Sequence, residues 1–164
     1  MHFITRDNDG WALAETPSDP RHGVLHRLDQ WRRSRADWPL ALRTGIVLSN
    51  TDDVLELAPD LHRMALVALQ FPKWTDGRAY SQAGLLRGRA RFTGDIRALG
   101  DVVVDMVPLL VRTGFSSAQL RDGQSIDLAR QSLRYFDRYY QRDARQATTV
   151  IAGQLDSWFD REAA

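Results

Sequence analysis

The residues best suited to chemistry lie in one run, Phe71-Pro72-Lys73-Trp74-Thr75-Asp76-Gly77-Arg78-Ala79-Tyr80-Ser81. It joins charges of both signs, a flexible glycine, aromatic rings and a hydroxyl placed to start a helix. Such a set can grip a small anion or a planar ring, since helix N-termini and guanidinium groups both donate to oxyanions. Further along, Arg97 interrupts the apolar run Ile96-Arg97-Ala98-Leu99. An unpaired charge there would cost several kcal/mol, so Arg97 needs a carboxylate or an anionic ligand. Asp76, Asp95 and Asp101 are the carboxylates that could serve. The candidate ligand-binding set is therefore Asp76, Arg78, Tyr80, Ser81, Arg97 and Asp101.

Each member also has a structural reading. Asp76-Gly77 can be a turn, Ser81 a helix cap, Tyr80 a staple onto Leu85, and Arg97 half of a salt bridge. Arg87 and Arg89 read as solvated or bridging. Recognised catalytic signatures are missing: no G-x-G-x-x-G follows a strand, and there is no G-x-x-x-x-G-K-[ST], H-E-x-x-H or G-x-S-x-G. The four histidines, His2, His22, His26 and His62, lack metal-ligand spacing. With no cysteine in the chain, thiolate catalysis, disulfides and Cys-ligated metals are ruled out. No catalytic residue, metal or cofactor is assigned, and whether the protein is an enzyme stays open at this point.

These residues must be positioned by a scaffold. From Arg43 onward, short apolar runs alternate with helical patterns, which predicts an α/β fold with a mostly parallel sheet of about four consecutive βα units. The expected strands are Gly45–Leu48, Ala65–Gln70, Ile96–Leu99 and Ala118–Leu120. In such sheets ligands sit beyond the carboxyl ends of the strands, which singles out Ser49-Asn50-Thr51, Phe71 to Ser81, and Gly100-Asp101. The middle segment exceeds the usual βα loop of about 2 to 6 residues. An open sheet is the first expectation, with half of a barrel completed by a second copy as the alternative.

Helix signals flank these strands. Thr51 precedes a helix at Asp52 to Leu57 that Pro59 should break or follow with a new turn, and Ser81 should cap Gln82 to Arg89. Asp101 should cap Val102 to Arg112, kinked at Pro108 and closed by Gly114, and Ser125 should cap Ile126 to Leu133. Upstream, Phe3-Ile4-Thr5 and Trp11-Ala12-Leu13 flank Asn8-Asp9-Gly10 and predict a hairpin. Val24 to Leu28 reads as a short strand, and Asp29 as the cap of a helical turn. At the far end Ile151, Leu155, Trp158 and Phe159 share one face of a C-terminal helix, packed on its own domain or against a second copy. The organisation expected is one domain over 1–164, with a hairpin and loop-rich part (1–42), a βα core (43–120) and a helical part (121–164).

Composition bounds the partners. The 164 residues are 43% hydrophobic and 26% charged, an ordinary globular balance. Net charge is +1, and acidic residues interrupt the arginines throughout, so no nucleic-acid-binding face is expected. Lys73 is the lone lysine, which makes arginine the default cation and lowers the information in any single one. No apolar run could cross a membrane and no export signal opens the chain, so a cytoplasmic location without membrane contact is expected.

The strings Phe71 to Ala83, Leu85-Leu86-Arg87 and Gly94 to Val102 resemble the bacterial domain of unknown function 934 family. The resemblance continues through Gly45-Ile46-Val47-Leu48 and Arg112-Thr113-Gly114-Phe115. It implies a context of assimilatory sulfite reduction, because members are commonly encoded beside those genes and often labelled probable oxidoreductases. Gly88 and Asp95 stand where the family commonly has glutamate, Met106 where it has glutamine, and Thr113 where it has cysteine. Thiol redox chemistry at position 113 is thereby closed to this chain. Three readings follow: a binder of a small anionic or nucleotide-like sulfur metabolite, a non-catalytic accessory of sulfite-reducing enzymes, or an oxidoreductase with a non-covalent flavin.

Overall fold

A computed structural model describes residues 1–5, 10–14 and 21–135. The face expected at Ile151, Leu155, Trp158 and Phe159 lies outside these. Among the described residues seven parallel strands form one sheet in the order β1-β7-β6-β5-β4-β3-β2. They are β1 (His2–Ile4), β2 (Ala12–Leu13), β3 (Val24–Arg27), β4 (Thr44–Leu48), β5 (Met64–Phe71), β6 (Asp95–Gly100) and β7 (Ser117–Gln119). The helices are α1 (Leu28–Ser34), α2 (Arg78–Gly88), α3 (Val107–Thr113) and α4 (Ile126–Ser132), and a 3₁₀ helix spans Val54–Arg63.

The α/β class and the four central strands match expectation, but the sheet is wider than four strands. Among the described residues β1 and β2 do not pair with each other as the expected N-terminal hairpin would. β1 pairs with β7 and β2 with β3, so the two segments occupy opposite edges. A hairpin this short is marginal by itself, whereas pairing onto a buried sheet extends an existing ladder. The consequence is curvature. Eight residue steps join Ile4 to Ala12 and span at most about 26–29 Å when fully extended, no more than the width of about 29 Å across seven flat strands. The sheet curls rather than lying flat.

Alternation along each strand sorts the core into two faces. Ile46, Leu48, Val67, Leu69, Phe71, Ile96 and Ala98 bury themselves with Trp31, Leu57, Leu86 and Leu110 of the covering helices. Leu25, Val47, Leu66 and Ala68 form a smaller cluster on the other face, joined by Trp11 and Leu99. Burial on both faces is why β4 and β5 read as unbroken apolar runs.

Several helix boundaries differ from expectation for identifiable reasons. Asp53 begins the 3₁₀ helix by accepting from Leu55 N at 2.9 Å, and Pro59 is accommodated inside it. Asp29 does not cap α1, because Gln30 Oε1 accepts the Arg27 N–H at 2.9 Å instead. Ser81 does not cap α2, which starts one turn earlier after Gly77. Asp101 does not cap α3, since a 3₁₀ turn over Val104–Met106 intervenes. Pro108 then falls in the first turn of α3, where its missing N–H costs nothing, and no kink results. Gly114 closes α3 at φ 106, and Ser125 caps α4 by accepting from Leu128 N, both as expected.

One core group carries a pH prediction. His26 is fully buried against Trp31 and Trp38, and neither ring nitrogen has a hydrogen-bond partner. Burial pushes its pKa below the usual 6.5. The unfolded chain therefore binds a proton that the folded one refuses. Stability is complete above the unfolded value and falls as pH drops through the window between the unfolded and the lowered folded pKa. Urea midpoints measured from about pH 7 to about pH 5 should decline, and His26→Phe should flatten that decline. An unchanged slope in the variant would assign the pH dependence elsewhere.

Candidate functional site

The carboxyl ends of β4, β5 and β6 converge through three connections. The segment after β5 holds only residues 72–77 before α2, because the first turn of α2 absorbs Arg78 to Ser81. The run is thus six residues of loop, at the upper end of ordinary βα connections. A turn closes it, with Asp76 N donating to Lys73 O at 2.9 Å.

Two carboxylates brace this loop. Asp76 receives Arg78 Nε at 3.0 Å and Nη2 at 2.7 Å in a two-pronged pair, and Asn50 Nδ2 at 2.6 Å from the end of β4. The Arg78 guanidinium and backbone hold the Asp76 carboxyl down to about 2. Asp76 also accepts the Arg78 N–H, so its carboxylate occupies the anion position at the start of α2. Asp101 accepts Trp74 N at 2.9 Å and Arg121 Nη1 at 2.8 Å. Chiefly the Trp74 N–H lowers its pKa. Gln82, buried on α2, donates to Ser49 O and Asp52 O at 2.8 and 2.9 Å and ties the helix to the β4 connection.

The remaining predicted residues do not join them. Tyr80 packs edge-on against Phe71, with centroids 5.1 Å apart, and near Phe115, rather than stapling onto Leu85. Burial pushes its phenol up to about 12, which keeps it protonated. Ser81 is exposed on α2. Arg97 lies in the middle of β6, two residues from Asp95 on the same face, and its Nη2 donates to Asp95 Oδ2 at 3.2 Å. Its Nε donates to Ser117 Oγ at 3.2 Å, and the hydroxyls of Ser116 and Ser117 also donate to Asp95. Of the three partners expected for Arg97, Asp95 is the one that pairs with it, through the two-residue repeat of a strand. Arg87 is a bridge, donating to the carbonyls of Phe92, Gly94 and Gly114.

Four of the six predicted residues thus form three separate arrangements, an Asp76–Arg78 pair, an Asp101 brace and the Arg97–Asp95–Ser117 cluster within the sheet, and Tyr80 and Ser81 join none of them. Asn50, Gln82 and Arg121 complete the braces, and the sequence offered only their strand-end positions as a signal. What the braced loop presents outward is Lys73 and Trp74. Trp74 is 56% exposed although its backbone is held by Asp101, and Lys73 makes no ion pair among the described residues. No three His, Asp or Glu side chains among the described residues could share a metal ion. No described helix is long and apolar enough to cross a membrane.

A family model described as a bacterial protein of unknown function (DUF934) matches residues 45–151, which include β4 to β7 and both braces. No curated protein matches the chain.

Proposed function

We propose, for a chain that belongs to the DUF934 family, a non-catalytic role as an accessory of sulfite-reducing enzymes, with Lys73 and Trp74 as the centre of its contact surface. The observation that carries this reading is a large ring held in water on an anchored backbone. A solvent-exposed tryptophan whose backbone is already ordered loses little further entropy on association, and tryptophan is enriched among the residues that dominate interface energies. The cations that could have gripped an anion, Arg78 and Arg97, are engaged by Asp76 and Asp95, so an oxyanion at either would compete with a carboxylate in place. The sulfur-assimilation context rests on the family resemblance.

Lys73 supports a second reading. A free ammonium beside an exposed indole can meet the phosphate and the ring of a nucleotide-like sulfur metabolite. The two are separated by experiment. With the full chain as bait, purified sulfite reductase and its reductase partner should be retained, and Trp74→Ala should weaken association by about 2 kcal/mol, the size of a hot-spot loss. Its urea midpoint should stay within about 0.5 kcal/mol of the parent, as for most surface changes. No retention of either enzyme would remove the accessory role. A thermal shift with adenylyl sulfate, absent in Lys73→Ala, would then establish the metabolite reading.

A further inference from the structure

The opposite end of the sheet holds a concave surface. A groove of 470 Å³ opens at the amino ends of β4, β5 and β6. Its volume falls within the range of about 300–1,000 Å³ typical of small-molecule sites, well beyond what one tetrahedral ion fills. Three cationic or protonatable side chains line it, and each comes from a different connection. Arg43 immediately precedes β4, His62 lies in the last turn of the 3₁₀ helix before β5, and Arg91 lies between α2 and β6.

No carboxylate lines this groove. Arg43, His62 and Arg91 are exposed, and among the described residues none of their side chains has an ion-pair or hydrogen-bond partner. This contrasts with the carboxyl end, where Arg78 and Arg121 each have an aspartate. Asp95 lines a neighbouring groove that shares Arg91, but it is engaged by Arg97, Ser116 and Ser117. Arg91 also occupies a left-handed conformation at φ 52, which glycine would adopt at lower cost. The turn therefore tolerates some strain while setting a guanidinium on the groove.

We infer that this groove binds a small polyanion carrying at least two phosphate- or sulfate-type groups, held by Arg43, Arg91 and His62. Guanidinium forks match the paired oxygens of such groups, and two guanidiniums with an imidazole beside them, on three connections, can engage two anionic centres at once. Unopposed positive charge in a groove also draws anions to it.

Pyrophosphate is the probe, titrated into the full chain at fixed ionic strength and followed by calorimetry and by the ring resonances of His62, assigned through His62→Gln. Saturable heat and a saturable His62 shift are expected. Arg43→Gln and Arg91→Gly should each weaken binding at least about tenfold. Arg91→Gly removes the charge while relieving the backbone, so loss of binding there is not loss of fold. Arg130→Gln, which removes a charge from α4 away from the groove, should leave the affinity unchanged. Orthophosphate should bind at least about tenfold more weakly, because it carries one anionic centre for the two guanidiniums rather than two. The inference is overturned by an unsaturable response, by equal affinity in Arg43→Gln and Arg91→Gly, by equal weakening in Arg130→Gln, or by orthophosphate matching pyrophosphate.

Discussion

Asp95→Ala should lower the free energy of unfolding by about 3 kcal/mol, the lower end of what is lost when one partner of a buried ion pair is removed. The reason is the position of Arg97. It is 4% exposed in the centre of a parallel sheet, between Ala68 on β5 and Ser117 on β7. Asp95 neutralises that guanidinium and also gathers the hydroxyls of Ser116 and Ser117. Taking the carboxylate away removes the countercharge that Arg97 pairs with and the acceptor of the Ser117 hydroxyl. The lower figure applies because Asp95 is itself 28% exposed, so water reaches part of the site. Urea unfolding monitored by tryptophan fluorescence checks this, with an unchanged slope marking a loss of stability rather than of two-state behaviour. A loss under about 1 kcal/mol would mean that Arg97 is sufficiently held by its other contacts. A swap to Asp95→Glu, which keeps the carboxylate, should recover part of the stability.

Gly100→Ala is the second large effect, expected to cost at least about 2 kcal/mol. Gly100 ends β6 at φ 97, a conformation that side-chain-bearing residues avoid, and an added Cβ would run into the carbonyl oxygen of Phe71. Neither side can give way easily. The Phe71 carbonyl accepts the Asp101 N–H at 2.8 Å, and Asp101 in turn holds Trp74. The substitution therefore strains the segment that anchors the proposed contact surface. Thermal unfolding should show the loss of stability, and affinity for a partner should fall beyond what Trp74→Ala alone accounts for. A variant as stable as the parent would show that the β5–β6 end relaxes freely.

Local chemistry made part of this legible in advance. The central strands could be read because Gly45–Leu48, Ala65–Gln70 and Ile96–Leu99 are apolar runs of strand length, and burial on both faces leaves no other pattern. Gly114 and Ser125 could be read because a left-handed terminus and an N-cap are decided within a few residues. Ser81 and Asp101 carried equally good local signals and still did not cap. The start of α2 was drawn forward to Arg78 by the Asp76 carboxylate, itself fixed by Asn50 from 26 residues away. Asp101 was taken by the Trp74 N–H, 27 residues away. A cap competes with every other donor that folding brings near, and those donors are invisible along the chain.

By itself, then, the sequence determined an α/β fold with parallel central strands, the absence of thiol chemistry, and the presence of a charged segment beyond the end of β5. Those follow from periodicity, residue inventory and strand-end position, which are local. Only the tertiary structure decided that four of the six candidate residues fall into three arrangements, that Arg97 answers to Asp95, and that β1 and β2 sit on opposite edges. It also decided that, among the described residues, Lys73 at one end of the sheet and Arg43 and Arg91 at the other have no carboxylate paired with them. Pairing of charges depends on distance through space, and in a sheet with strand order β1-β7-β6-β5-β4-β3-β2 that distance bears little relation to separation along the chain.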